Sequence, residues 1–79
     1  MVRRDRLEVD IHGMTAADAK YKLERTLAGL PPHIKEVVVI HGFRGGQALR
    51  NMVRNQLKSK KIKQKFYTLN EGETILMIR

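Results

Sequence analysis

Cysteine is absent from the 79 residues, and so is tryptophan. Without cysteine, neither a disulfide framework nor a thiolate zinc site can hold the fold, and the lack fits a reducing compartment. Aromatic residues number four (Tyr21, Phe43, Phe66 and Tyr67), although a hydrophobic fraction of 42% suffices for one small two-layer core. No apolar run approaches membrane-spanning length, and the opening "MVRRDRLEVD" is charged where a secretory signal would be apolar. The expectation is a soluble, cytoplasmic chain with no membrane partner. Acidic residues are scarce as well: eight Asp and Glu stand against sixteen Lys and Arg, giving a net charge of +8 and a pI near 10.3. On so small a body this excess produces a positive field that favours polyanions through phosphate neutralisation and counterion release. The partner it points to is DNA or RNA, free or in a nucleoprotein such as the ribosome.

What is present reads as alternating strands and helices. Leu7, Val9 and Ile11 alternate with Glu8, Asp10 and His12, the period-two signature of a half-buried strand. Thr15 and Asp18 have the spacing of a capping box, and Ala19, Leu23, Leu27 and Leu30 then repeat at helical spacing until Gly29, Pro31 and Pro32 stop the helix. Val37–Ile40 is a continuous β-branched run that suits a central strand. The loop "HGFRGG" leads to a second helix with Leu49, Met52, Val53 and Leu57 inward and Arg50, Arg54 and Lys58 as a basic stripe beside them. "KSKKIKQK" enters a third strand around Gln64–Leu69, and a turn at Asn70-Glu71-Gly72 leads to a fourth over Thr74–Ile78. The order is β-α-β-α-β-β. Residues 1–79 are expected to form one domain, monomeric, with residues 1–6 a flexible N-terminal extension.

The triplet "IHG" closes both of the first two strands, at Ile11-His12-Gly13 and at Ile40-His41-Gly42. His41 lies 29 positions after His12, whereas Ala19, Leu23 and Leu27 match Leu49, Val53 and Leu57 at a shift of 30. If the first two strands are parallel, as short helical crossovers normally require, both histidines fall at one sheet edge. That carboxyl edge is where α/β folds usually hold ligands. Glycine there permits positive φ and close backbone approach, helix-start N–H groups favour phosphate, and an imidazole can bond a phosphate or move a proton near neutral pH. Asp10 shares a face with His12 and can orient it; Arg44 can reach a phosphate from the glycine loop. The plain alternatives are structural histidines, an Asp10 bonded to nearby backbone N–H groups, and a merely solvated basic helix face. Asp10, His12 and His41 can also be read as metal ligands, but with one carboxylate and no Cys or HExxH spacing no residue set is assigned to a metal.

Together these residues resemble the small MutS-related (Smr) domain family. "VDIHGMTAADAKYKLERTL", "VVVIHGFRGGQALRNMVRNQL" and "GETILMI" carry the likeness from about Leu7 onward. Val9-Asp10-Ile11-His12-Gly13 is similar to the family's L-D-x-H-G element, His41-Gly42 with Leu49-Arg50 to its H-G-x-G and Leu-Arg element, and Gly72-Glu73-Thr74 to its glycine-opened last strand. The resemblance implies a two-layer α/β sandwich, a four-stranded mixed sheet with two helices, like the C-terminal domain of a translation initiation factor. It also implies nucleic-acid binding and, in several members, endonuclease cleavage of DNA or RNA, with Asp10, His12 and His41 catalytic. Gly13, Gly42, Arg44, Gly45, Gly46, Arg50, Arg54, Lys58 and Lys61 are then the candidate nucleic-acid contacts, with Mg²⁺ left open as a cofactor. His41-Gly42-Phe43-Arg44-Gly45-Gly46 departs from the family's H-G-x-G-x-G by one added residue and by arginine near the middle glycine. Two alternatives stay open beside the nuclease. One is a non-catalytic module docking on RNA, ribosome or DNA, the other a protein-interaction module that pairs through the last strand, Thr74–Ile78, as an exposed edge.

Overall fold

The alternation at the start of the chain becomes β1, Arg6–Asp10, and the β-branched run becomes β2, Glu36–Ile40. The computed structural model describes residues 4–42, 47–67, 69 and 72–79. Between the two strands lies α1, Ala16–Ala28. Its start forms the threonine half of the capping box read from the sequence: the Thr15 hydroxyl accepts the Asp18 N–H at 3.2 Å, and Asp18 complements the helix dipole in the first turn. Its stop differs from a glycine cap of the left-handed kind, because Gly29 has φ −104°. Pro31 is what bars continuation, since the residue before a proline avoids helical dihedrals.

After β2 come α2, Gln47–Asn51, a π-helical continuation over Met52–Gln56, then β3, Ile62–Tyr67, and β4, Glu73–Ile78. The π turn is visible in one bond, from the Leu57 N–H to the Met52 carbonyl five residues back at 2.7 Å. It keeps Leu49, Met52, Val53 and Leu57 buried together. The Lys65 ammonium closes this helix end by donating to the carbonyls of Leu57 at 2.7 Å and Arg54 at 3.2 Å.

The sheet order is β1-β2-β4-β3. β1 and β2 are parallel, while β4 is antiparallel to both β2 and β3. β3 therefore runs the same way as β1 and β2, so three strands end at one edge. Leu7, Val9, Ile11, Val37, Val39 and Leu76 face α1 and α2, and Ala19, Leu23, Leu27, Leu49, Val53 and Leu57 close the core from the helix side. This is the expected two-layer α/β sandwich.

One expectation needs correction. The last strand was the candidate for pairing with a partner, but β4 lies between β2 and β3 with both of its sides hydrogen-bonded. The sheet's edges are β1 and β3. Asp5 and Arg6, expected within a flexible extension, are tied to the sheet. The Asp5 carbonyl accepts the N–H groups of Lys35 at 2.7 Å and Glu36 at 3.2 Å, and Arg6 opens β1 with its Nε 3.4 Å from the Glu36 carboxylate. Residues 1–3 lie outside the described residues.

Candidate functional site

The site begins where β1 runs out. Ile11 is still held to the sheet, its N–H donating to the Ile40 carbonyl at 2.9 Å, and its side chain is fully buried. Gly13 then turns the chain with φ +80°, a conformation that L side chains rarely adopt. The turn is tied by the Asp10 carboxylate. Its Oδ1 accepts the His12 backbone N–H at 3.0 Å and pairs with Nδ1 of the same histidine's ring. One oxygen thus fixes both the chain direction and the imidazole. A carboxylate can only accept, so Nδ1 carries the proton and Nε2 is left to face outward with its lone pair. The His12 side chain is 70% exposed. The His12 side-chain and backbone bonds, in that order, hold the Asp10 carboxyl below its ordinary value, so it stays ionised. Lys22, nearly two turns into α1, places its ammonium 3.4 Å from the Asp10 carbonyl.

The second glycine turn touches the first. Gly42 has φ +84°, and a Cβ built on it would lie 3.6 Å from the His12 Cβ. Sequence reasoning brought both histidines to one edge, and they do share it, but only one reaches solvent. His41 is 1% exposed, because it has the strand parity of Val37 and Val39 and points toward the helices. Its ring is also fully engaged. Nδ1–H donates to the Gly42 carbonyl at 3.3 Å, which leaves Nε2 to accept from the Thr74 hydroxyl at 2.9 Å. The Thr74 oxygen in turn accepts from Arg54 Nε–H at 3.1 Å. Arg54, Thr74, His41 and Gly42 form a chain in which every donor has an acceptor. Burial, ahead of every other cause, pushes the His41 imidazole below its ordinary value; the cations of Arg54 and Arg50 push the same way. A neutral, sealed ring of this kind supports the wall of the site and does not present a nitrogen to a substrate. Of the two histidines expected at this edge, His12 alone is exposed, and His41 lies buried behind it.

The backbone donors expected at the second turn are also partly taken. The N–H groups of His41 and Gly42 both donate to the Gly72 carbonyl at 2.9 Å, which fastens this turn to the start of β4. Gly42 therefore contributes shape to the rim more than hydrogen bonds. Arg44, Gly45 and Gly46 lie outside the described residues, as do Asn70 and Glu71 of the last turn.

The basic stripe survives with differences among its members. Arg50 and Arg54 are half-buried beside the rim, and Lys58 is exposed just past the helix end. The Arg54 guanidinium lies over the Tyr67 ring at 4.1 Å from its centroid. Lys61 donates to the Ala28 carbonyl at 3.0 Å, so it caps α1 and sits away from the rim. Lys65, another member of the basic run, is held by the helix carbonyls, and burial lowers its ammonium below the usual value. Among the described residues, no three His, Cys, Asp or Glu side chains converge where one ion could be held, and no helix is long and apolar enough to cross a membrane.

Three residues here escaped the sequence reading: Thr74, Tyr67 and Lys22. Thr74 did leave a signal, because it shares strand parity with Leu76 and Ile78 and an inward hydroxyl needs a buried partner. Tyr67 and Lys22 are ordinary surface residue types whose positions only the assembled sheet reveals.

Comparison with known proteins agrees with this geometry. The model of the Smr domain family matches residues 9–74. Among solved structures, the crystal structure of the Smr domain of Thermus thermophilus MutS2 superposes with a TM-score of 0.81 at 25% identity, covering 92% of this chain and 98% of that one. No curated protein sequence matches the chain.

Proposed function

The chain belongs to the Smr domain family, and from that premise we propose that it binds nucleic acid across the carboxyl edge of its sheet and cleaves a phosphodiester there with the Asp10–His12 pair. The observation that carries this reading is an exposed imidazole paired with an ionised carboxylate, with Lys22 beside that carboxylate and Arg50 and Arg54 around His41 at the neighbouring turn. His12 Nε2 takes the proton from an attacking hydroxyl, either water or a ribose 2′-OH. As the new P–O bond forms, Asp10 stabilises the imidazolium, and Lys22 and Arg54 offset charge gathering on the phosphoryl oxygens. The imidazolium then returns the proton to the departing oxygen as the old P–O bond breaks. In this scheme one histidine serves twice, and His41 keeps the wall in place.

The test is cleavage of end-labelled RNA, single-stranded DNA and branched DNA, with and without Mg²⁺. His12→Ala is expected to abolish product. Asp10→Asn is expected to lower the rate at least tenfold while leaving affinity intact, because general acid–base positioning contributes on the order of 10²–10⁴ in rate. Equal rates for wild type and both variants would remove the pair from the chemistry.

A second reading is favoured by the sealed His41 and the occupied Gly42 N–H: a module that docks on RNA, ribosome or DNA without cutting it. Binding that falls steeply with salt, with no product from any substrate, would select it. Both readings place the protein in solution as a monomer, which sedimentation would check.

A further inference from the structure

Of the four aromatic residues in the chain, the three that are described all lie on the surface: Tyr21 is 61%, Tyr67 58% and Phe66 45% exposed. The buried cluster is aliphatic throughout. Burying one aromatic ring removes roughly 150–250 Å² from water, so a small domain that leaves three of them outside forgoes a large stabilising term. Exposure alone assigns no role, and the three differ in what surrounds them.

Tyr67 differs from the other two in its position. It closes β3 in register with Thr74, Thr74 pairs with Val39, and Val39 pairs with Val9. The row Val9–Val39–Thr74–Tyr67 therefore crosses the whole sheet one residue short of Asp10. Since β3 runs parallel to β1, Tyr67 stands at the same edge as His12, three strands away, on the helix side of the rim where His12 has the outward parity of Asp10. Three inter-strand steps of about 4.8 Å give a cross-strand separation of about 14 Å. At a rise of about 3.4 Å per stacked nucleotide, that distance is roughly four nucleotides of one strand.

Tyr67 is also held ready. Arg54 lies 4.1 Å over its ring, and the guanidinium is anchored through Nε to the buried Thr74 hydroxyl. The result is a planar cation and an aromatic ring, locked from below by the His41 relay, with more than half of the tyrosine still open. Tyr21 and Arg25 make a looser pair. Their centroid distance is 5.6 Å, the guanidinium is held through the phenol oxygen at 3.0 Å, and both sit along α1 as it runs away from the edge. Phe66, in register with Ile75, lies on the outward face that Glu8 and Asp10 share, and among the described residues no guanidinium lies over its ring.

We propose that Arg54 and Tyr67 form a stacking platform for an unpaired nucleobase, so that the strand meeting His12 is single-stranded where it crosses the sheet edge. This rests on the nucleic-acid-binding reading above. A site that gripped phosphates alone would need the arginine but not the ring. A base inside a duplex is already stacked on its neighbours and cannot lie on a tyrosine, whereas an unpaired base gains contact area there at little sequence specificity. The arginine adds a charge for the adjoining phosphate and a second planar surface.

The experiment compares fluorescence anisotropy of one labelled oligonucleotide, single-stranded and annealed to its complement, at fixed ionic strength. The proposal expects tighter binding to the single strand. Tyr67→Ala should weaken that binding roughly tenfold, the usual cost of losing one base–aromatic stack, and change duplex binding by less than about twofold. Tyr67→Phe, which keeps the ring, should bind as wild type does. A second readout needs no truncation. With no tryptophan and two tyrosines in the chain, Tyr21→Phe leaves Tyr67 as the sole intrinsic fluorophore, and a stacked base should quench it. Equal loss on single strand and duplex in Tyr67→Ala, no loss on either, or unquenched emission at saturation would each overturn the platform while leaving nucleic-acid binding standing. If wild type binds neither form, the functional reading itself falls.

Discussion

The buried relay from Arg54 through Thr74 to His41 can be cut at its middle by Thr74→Val, which keeps the shape of the side chain and removes the hydroxyl. Thr74 is fully buried, so no water replaces what is lost. His41 Nε2 loses its only donor and becomes an unsatisfied acceptor in the core, a cost of about 1–3 kcal/mol. Arg54 also loses its acceptor, but it is half-exposed and water can recover most of that bond. The added methyl offsets a fraction of the loss by being apolar, which leaves a net destabilisation of about 2 kcal/mol. Against a total stability of roughly 4–12 kcal/mol for a domain of this size, that is a large fraction. At roughly 4–8 °C per kcal/mol, the melting temperature should fall by about 8–16 °C. Thr74→Ser is the control: it keeps the hydroxyl and deletes one buried methyl, about 0.8 kcal/mol. Urea denaturation followed by circular dichroism should rank wild type above serine and serine above valine. Valine equal to or more stable than serine would refute the relay, since it would mean that the hydroxyl bonds contribute less than one methyl.

Stability should also depend on mildly acidic pH, through His41. Its folded-state pKa is depressed below the ordinary 6.5, with burial as the leading cause. The unfolded chain takes up a proton near pH 6.5 that the folded protein refuses until lower pH. Stability is therefore full above that point and declines as pH falls through the window beneath it. Urea midpoints at stepped pH should show the decline in wild type and a flatter profile in His41→Gln; an unchanged profile would mean that another group titrates there. The glycine turns offer a separate check. Gly13→Ala and Gly42→Ala should each cost about 1–2 kcal/mol from the left-handed backbone alone. The new Cβ meets nothing within 4 Å at Gly13 and only an ordinary 3.6 Å contact at Gly42. A much larger loss at Gly42 would reveal a tighter fit between the two turns than those distances allow.

Most of the fold was legible because its signals are local and agree with one another. The capping box at Thr15 fixes where α1 begins, the alternation of Leu7, Val9 and Ile11 fixes which face of β1 is buried, and the unbroken Val37–Ile40 run marks the central strand. Topology beyond neighbouring elements was not local. Nothing in Thr74–Ile78 states that β4 inserts between β2 and β3, because an apolar strand reads the same at an edge as inside. The fates of Lys61 and Lys65 were hidden for a related reason. A lysine that caps a helix carbonyl and one that waits for a phosphate have the same side chain, and only the fold decides which carbonyls come within reach.

The two histidines give a sharper case, because the information was present and was read at the wrong offset. "IHG" recurs at a spacing of 29, which invites the view that His12 and His41 are equivalent. The strands, however, pair at an offset of 30: Leu7 with Val37, Val9 with Val39, Asp10 with Ile40. Continuing that offset sets His41 opposite Ile11, while His12 corresponds to Gly42. A slip of one residue in a strand moves a side chain to the other face. His12 therefore shares the outward parity of Glu8 and Asp10, and His41 shares the inward parity of Val37 and Val39. The helices had already announced the correct register, since Ala19, Leu23 and Leu27 match Leu49, Val53 and Leu57 at 30. Motif spacing and core spacing disagreed by one residue, and in a sheet the core spacing wins because it carries the burial energy. The same parity sends one imidazole to solvent with a carboxylate beside it and drives the other under the rim, where it holds Thr74 and, through it, Arg54. One repeated triplet thus supplies both an exposed, carboxylate-paired imidazole and the buried brace for Arg54.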